Sequence, residues 1–470
     1  MPKIKINGRE LEVAEGITIL EAALSNGIYI PHFCYHPHLA VSGNCRMCLV
    51  DVKPGPPKLS ISCATTVAEG MMIETENEKV RAARAAVMEF ILKNHPVDCP
   101  ICDQAGECVL HEYYMKYDLK PSRLFSPEDK VKKQKRRRLG KNLVLDSERC
   151  ILCTRCLRFV RNVSRDESLA MIKRSDKMEI TTFPGKTVDN PYSLCLTDVC
   201  PVGAWTSADF RFKQRVWFLQ PSASICPHCS RGCNIWIDHR REEAFRIRPR
   251  VNIQVNESWA CDEGRLNYHL INDNRLTMPL VNKGGGQKEV SWQEALKAAG
   301  QIMAEAGEGL SVIVSASFSL EEGKALLSLQ ESLGAKVMLN KGKPGWEDNI
   351  LRRSDMNANT KGLMDLGITE TLETGIDESA VLLVFETLGS APLPEGTPSP
   401  AIVISPSVTP AAKAAKVALP AASYAETAGT VVNFMGVSQS YSPALKPKGQ
   451  ALSHTEIIGK LTGAAQKAGE

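Results

Sequence analysis

The chain opens on a short alternation of apolar and charged positions. Ile4 and Ile6 are separated by lysine, and Leu11 and Val13 alternate on the far side of Asn7-Gly8. Period-two alternation on both sides of Asn-Gly predicts a β-hairpin. Thr18 and Glu21 then stand at capping-box spacing, and Asn26-Gly27 closes the stretch they begin, which predicts a short helix. From about 78 to 94 the period changes. Val80, Val87 and Ile91 fall on one helical face, and Pro96 prevents continuation. Beyond about 290, helical stretches alternate with apolar runs at 312–314, 337–339, 381–385 and 402–404. Strands separated by helices imply a parallel α/β layer. Ser319 and Glu322 repeat the capping-box spacing, and Gly284-Gly285-Gly286 reads as a turn.

A length of 470 residues suggests roughly three domains. With 43% hydrophobic and 23% charged residues the chain can bury proper cores. A net charge of +4 gives no case for general nucleic-acid binding. The longest apolar run, 380–385, is strand-sized, far short of the ~20 residues of a membrane span. The N-terminus shows no apolar signal region, so a cytosolic chain is expected, meeting a membrane only through partners. The basic run Lys132-Lys133-Gln134-Lys135-Arg136-Arg137-Arg138 reads as a solvated linker or as a surface for an acidic neighbouring subunit. Without interleaved aromatics it is weak evidence for nucleic acid.

The cysteines change the picture. All sixteen lie between Cys34 and Cys261. Close pairs in a cytosolic chain point to metal rather than to disulfides. The first set is Cys34-x10-Cys45-x2-Cys48-x14-Cys63. A [2Fe–2S] rhomb needs two thiolates on each iron, which a close pair with one distant cysteine on each side can supply. The ten-residue gap departs from plant-type spacing and implies a longer loop over the cluster. Gly43 lets backbone N–H groups approach the sulfurs. Following a hairpin and helix, this set suggests a ferredoxin-like β-grasp domain over 1–78. Zinc is the competing occupant of four thiolates.

The second set is His95-x3-Cys99-x2-Cys102-x5-Cys108, over 79–119. Three cysteines leave a cubane one ligand short, and His95 can supply a neutral imidazole nitrogen. His111 is the nearby histidine read as structural. The third set, over 140–217, is Cys150-x2-Cys153-x2-Cys156 with Cys200-Pro201, a [4Fe–4S] pattern. Cys195 competes with Cys200. Cys-Pro is the usual closing form, which leaves Cys195 as a small buried apolar residue. The fourth set, over 219–275, is Cys226-x2-Cys229-x3-Cys233-x27-Cys261. One rhomb and three cubanes then use every cysteine but Cys195, plus His95.

Three stretches carry a resemblance. They are Gly43-Asn44-Cys45-Arg46-Met47-Cys48-Leu49-Val50, then His95-Pro96-Val97-Asp98-Cys99-Pro100-Ile101-Cys102-Asp103-Gln104-Ala105-Gly106-Glu107-Cys108, then Cys200-Pro201-Val202-Gly203-Ala204. They resemble the large iron–sulfur subunit of respiratory complex I, an NADH:quinone oxidoreductase, over about residues 1–275. The fourth set resembles the start of molybdopterin oxidoreductases, and the family implies that its cluster lies off the main electron route. Glu426-Thr427-Ala428-Gly429-Thr430-Val431-Val432-Asn433 resembles an element near the end of their cofactor domain. Residues 276–470 are therefore expected to be a shortened domain of that type. No cysteine follows Cys261 to ligate molybdenum, so none is expected; a serine or aspartate ligand is the formal alternative.

The expected architecture is multidomain, α+β and α/β. The resemblance implies an electron-transfer subunit with no catalytic residues of its own. No G-x-G-x-x-G follows a strand and there is no P-loop, so NADH oxidation is assigned to a separate flavin subunit. Electrons would leave toward quinone-side iron–sulfur subunits, with the chain peripheral on the cytoplasmic side of the inner membrane. An electron-input subunit of an NAD-linked hydrogenase or formate dehydrogenase is the alternative. A zinc-rich structural or nucleic-acid-binding protein is the rival from another class.

Overall fold

The computed structural model describes residues 1–470 except 56, 119, 124–126, 373–375, 377–379 and 470, so the expected boundaries at 119 and 470 lie outside the described residues. The chain divides into two compact units, Met1–Phe218 and Leu219–Glu470.

The first unit begins with the hairpin, Lys3–Ile6 against Arg9–Glu12, turned through Asn7 and Gly8 at positive φ. Strand Lys3–Ile6 also pairs in parallel with Met72–Glu74, which continues to Leu49–Lys53 and Ser60–Ile61. Helix Ile19–Ser25 lies on this sheet. Its capping box is complete, Thr18 Oγ1 accepting from Glu21 N and Glu21 accepting from Thr18 N. Ile4, Ile6, Leu20, Val50 and Ile73 close the core.

Helix Glu78–Asn94 runs where the apolar period places it, but its buried stripe differs. Val80, Arg84 and Met88 face inward, while Val87 and Ile91 are only half-buried. Arg84 is fully buried because Glu76 and the Leu49 carbonyl accept from its guanidinium at 2.9 and 3.3 Å. Apolar periodicity cannot place a paired arginine inside.

The basic run is folded rather than a free linker. Arg137–Arg138 pairs with Leu143–Leu145, itself paired with Trp205–Ser207. Lys135 reaches Glu148 at 2.8 Å and Asp98 at 3.4 Å, and Lys133 Nζ donates to the Met178 carbonyl at 2.6 Å. The carboxylates it meets lie far along the chain, so no local pattern reveals them.

The second unit starts with an antiparallel sheet, Gln220–Ile225, Asn234–Arg240 and Glu243–Pro249. Its seven-stranded sheet runs in the order Gln287–Glu289, Leu280–Asn282, Val417–Pro420, Ile402–Ser405, Val381–Phe385, Leu310–Ser315, Lys336–Asn340. The last five are parallel, matching the α/β expectation. Val417–Pro420 is a strand the apolar pattern does not single out. The glycine triplet turns the edge hairpin. Helices Trp292–Ala306, Leu320–Leu333 and His454–Gly469 bury one face of this sheet. The Ser319–Glu322 capping box forms as predicted.

Asp238 carries a pH prediction for the second unit. Arg246 Nε and Arg248 Nε each donate to its carboxylate at 2.6 Å. Burial pushes the Asp238 carboxyl up, but the Arg248 hydrogen bonds and both positive charges outweigh it and hold the group below its ordinary value. The unfolded value is about 3.9. The stabilisation is therefore fully present above that pH and is lost as pH falls through the lower folded value. Urea unfolding from pH 5 to 2.5 should show Asp238→Asn less stable at pH 5, with the gap closing toward the acid end. A gap that stays constant with pH contradicts this.

Candidate metal centres

In the first set, the Cys34 N–H donates to Cys45 Sγ at 3.5 Å. Thiol contacts join Cys34 to Cys45 and Cys63, and Cys63 to Cys48, so all four sulfurs form one connected group. Hydrogen bonds from Cys45 and Cys63 hold the Cys34 thiol down to about 2. The same bonds, with burial, push Cys45 and Cys63 up. Gly43 and Arg46 both take positive φ, which curls the Cys45–Cys48 loop around the sulfurs.

In the second set, burial pushes His95 down to about 4, so its imidazole is neutral at pH 7. His95 Nδ1 is buried with no hydrogen-bond partner. A buried neutral nitrogen with an open lone pair or an undonated proton is costly unless a ligand meets it. Burial also raises Cys102 and pushes Cys108 up to about 11. The His111 side chain is exposed, and only its backbone N–H turns toward Cys108 Sγ.

In the third set, Cys150, Cys153 and Cys156 each feel the charge of Cys200, which ties the distant cysteine to the close three. Burial pushes Cys150 up to about 12 and Cys153 up to about 11, and raises Cys156 and Cys200. Backbone N–H groups of Val202, Ala204 and Trp205 point at Cys200 Sγ, and the Trp205 side chain donates to Cys156. Cys195 begins the helix Cys195–Val199 and is fully buried.

Three sets in the first unit are physically tied. Asp98, between His95 and Cys99, takes a bidentate pair from Arg149, the neighbour of Cys150, at 2.9 and 2.7 Å. Val109 N donates to the Pro201 carbonyl at 3.1 Å. Gly203 has no side chain because one would overlap Cys102 Sγ. On the other side, Asn44 donates to the Leu152 carbonyl at 3.2 Å, and Ser42 meets Thr154 at 3.3 Å. The third set is thus bonded to both the first and the second.

In the second unit, Cys226, Cys229, Cys233 and Cys261 line one cavity with Ile235, Leu351 and Arg352. The Cys226 N–H donates to the Cys233 carbonyl at 2.8 Å, and Gly264 N to Cys261 Sγ at 3.4 Å. Arg352, 1% exposed, lies 3.8 Å from Cys261 Sγ and 2.8 Å from Glu263. The motif around Glu426 supports this loop. Asn433 donates to the Arg231 carbonyl at 3.3 Å, and Gln439 on the paired strand to the Gly232 carbonyl at 2.9 Å. Arg149, Arg352 and Gln439 are site residues with no local sequence signal.

Among the described residues, no three His, Cys, Asp or Glu side chains converge as a single metal ion requires. The donor sets fit iron–sulfur clusters: soft sulfurs, backbone N–H groups aimed at them, and buried thiols whose protons iron would displace.

These folds and sites define an iron–sulfur protein with 2Fe-2S and 4Fe-4S binding domains followed by a molybdopterin-oxidoreductase-like layer. Five family profiles match it: a 2Fe-2S iron–sulfur cluster binding domain at 2–78, the NADH-ubiquinone oxidoreductase-G iron–sulfur binding region at 84–123, the ferredoxin-like domain of NADH-quinone oxidoreductase subunit 3 at 140–206, an NDSU1/NuoG-like 4Fe-4S domain at 224–269, and molybdopterin oxidoreductase at 395–464. The NADH-quinone oxidoreductase G-type subunit of Rickettsia felis is 41% identical over 336 residues, 71% of this chain and 50% of that protein. The NADH-ubiquinone oxidoreductase 75 kDa subunit of Reclinomonas americana is 36% identical over 391 residues, 82% of this chain and 56% of that protein. The chain belongs to this family of G-type, or 75 kDa, iron–sulfur subunits, and it spans about half the length of the curated relatives it matches. A solved NAD+-reducing [NiFe]-hydrogenase chain, 26% identical with a TM-score of 0.41, covers 46% of this chain and 91% of its own; that likeness is too loose to bear on fold or activity. No helix among the described residues is long and apolar enough to cross a membrane.

Proposed function

We propose that this chain is the iron–sulfur electron-transfer subunit of an NADH:quinone oxidoreductase. It takes electrons from a flavin subunit that oxidises NADH and passes them toward quinone-side iron–sulfur subunits, peripherally on the cytoplasmic side of the inner membrane. Cys34, Cys45, Cys48 and Cys63 hold one [2Fe–2S] cluster. Three [4Fe–4S] clusters take His95, Cys99, Cys102 and Cys108; Cys150, Cys153, Cys156 and Cys200; and Cys226, Cys229, Cys233 and Cys261. The domains are 1–78, 79–119, 140–217, 219–275 and 276–470, the last without molybdenum.

Such clusters, when bound, supply one-electron redox chemistry. The polypeptide holds them apart from water, spaces them and tunes them through sulfur hydrogen bonds and burial. The observation that carries this reading is the bonding of the third set to both of its neighbours, Asp98 to Arg149 on one side and Asn44 to Leu152 on the other. Loops bonded to one another in this way keep neighbouring sites close, which an electron path needs and independent zinc knots do not.

The test is iron, acid-labile sulfide and EPR on anaerobically purified protein, with His95→Cys beside it. The parent should be brown and rich in sulfide; zinc with almost no sulfide would reject the reading. Exchanging neutral imidazole for thiolate makes the second site more negative. The variant should therefore keep a [4Fe–4S] cluster at a lower potential. An unchanged potential rejects imidazole ligation.

A further inference from the structure

Helix Arg155–Asn162 leaves the third set carrying two arginines three residues apart, Arg155 and Arg158, on one face. Both leave their own set and reach the first. Arg158 Nη1 donates to the Ala40 carbonyl, and Nη2 donates to the Cys34 carbonyl and, at 3.3 Å, to the Cys153 carbonyl. Arg155 Nη2 donates to the Tyr35 carbonyl, and Nη1, at 3.3 Å, to the carbonyl of Val199 beside Cys200. Each fork therefore spans both sets. The charge of Arg158 acts on both as well, on Cys34 in the first set and on Cys153 and Cys156 in the third, while that of Arg155 acts on Cys153 and Cys200 of the third. The Nε–H of each arginine is buried without an acceptor among the protein's own atoms. A buried charged donor left open is costly, and cluster sulfur is an acceptor that would meet it.

We propose that Arg158, seconded by Arg155, is a positioning residue shared by the first and third clusters: its single charge sets both potentials, and its fork holds the two cluster loops in register for electron transfer. The inference rests on the ligation proposed above. It goes beyond it in naming a residue that is no ligand and that serves two clusters at once. Lysine at the same place would keep the charge but could not span three carbonyls, because its ammonium is a point donor.

The experiment is an EPR-monitored redox titration of the full chain in its assembled complex, parent against Arg158→Met and Arg158→Lys. Arg158→Met should shift the oxidised-to-reduced ratio at fixed potential roughly tenfold toward oxidised, about 59 mV for one electron, at both the first and third clusters. The second cluster should stay in place. A shift at only one cluster, at none, or equally at all three overturns the proposal. Should Arg158→Met fail to assemble, Arg158→Lys decides. It should hold both potentials near the parent while amides of residues 34–40 exchange hydrogen several-fold faster. Displaced potentials or unchanged exchange in the lysine variant overturn the proposal. A parent that lacks the two cluster signals defeats the ligation reading instead, so the two failures are distinct.

Discussion

Replacing Gly203 with alanine is expected to strip the second cluster from the chain. The methyl group would overlap Cys102 Sγ and stand 3.0 Å from Gln104 Cβ. Cys102 is buried, and as a ligand it could not swing away without leaving its iron. Overpacking of this kind forces backbone shifts that typically cost about 1–3 kcal/mol, and here the group that must yield is the proposed ligand itself. Iron should fall by about four per chain, the content of one cubane, with the second cluster's EPR signal absent and the first cluster's signal retained. Gly264→Ala is the graded comparison. Its methyl would meet Cys226 Sγ at 3.1 Å and Cys261 Sγ at 3.4 Å, close enough for small adjustments to absorb. That variant should keep most of its fourth cluster. Native iron content in Gly203→Ala would mean that Cys102 is not held where the fold places it.

The same glycine shows what the sequence reveals and what it hides. Gly203 stands in a stretch recognisable from Cys200-Pro201, yet the reason for a glycine lies about a hundred residues earlier, at Cys102. Local chemistry was legible. Both capping boxes, the Asn7-Gly8 turn and the helix Glu78–Asn94 depend on neighbours within a few positions, and each formed as its residues dictate. The close cysteine pairs, two or three residues apart, stand out for the same reason, whereas Cys200 and Cys261 lie far along the chain from the cysteines they are grouped with. The arginines were not legible. Arg84, Arg149, Arg158 and Arg352 look like surface residues in any window, and each is placed by a carbonyl, carboxylate or thiol distant in sequence. Polar residues that pair across the fold have no periodicity to betray them. The basic run is mostly solvent-exposed as its charge implies, but its ion pairs are hidden for the same reason, since Lys135 finds Asp98 and Glu148 only once the chain has folded.

Glu426→Ala should produce the largest loss of stability in the second unit. Its carboxylate meets Arg275 through two parallel bonds, 2.9 and 2.6 Å, and also accepts from Ser423 N at 2.7 Å. The two side chains are 2% and 0% exposed. Truncation leaves a guanidinium buried without its counter-charge, which costs about 3–5 kcal/mol. At a slope of about 3 kcal/mol/M, the urea midpoint should drop by roughly 1–1.7 M. The double variant Arg275→Met/Glu426→Leu should recover much of that loss, because a buried ion pair replaced by packed apolar groups is often near neutral. Equal losses in the single and double variants would trace the effect to packing rather than to charge. The consequence reaches the metal. Glu426 anchors the segment that leads into Gly429–Val432, and Asn433 and Gln439 of that hairpin hold the carbonyls of Arg231 and Gly232 beside Cys233. Freed from Arg275, the hairpin should loosen its grip on that loop. The cluster proposed for the fourth set should then be the first to be lost on mild heating, while those proposed for the first three sets persist.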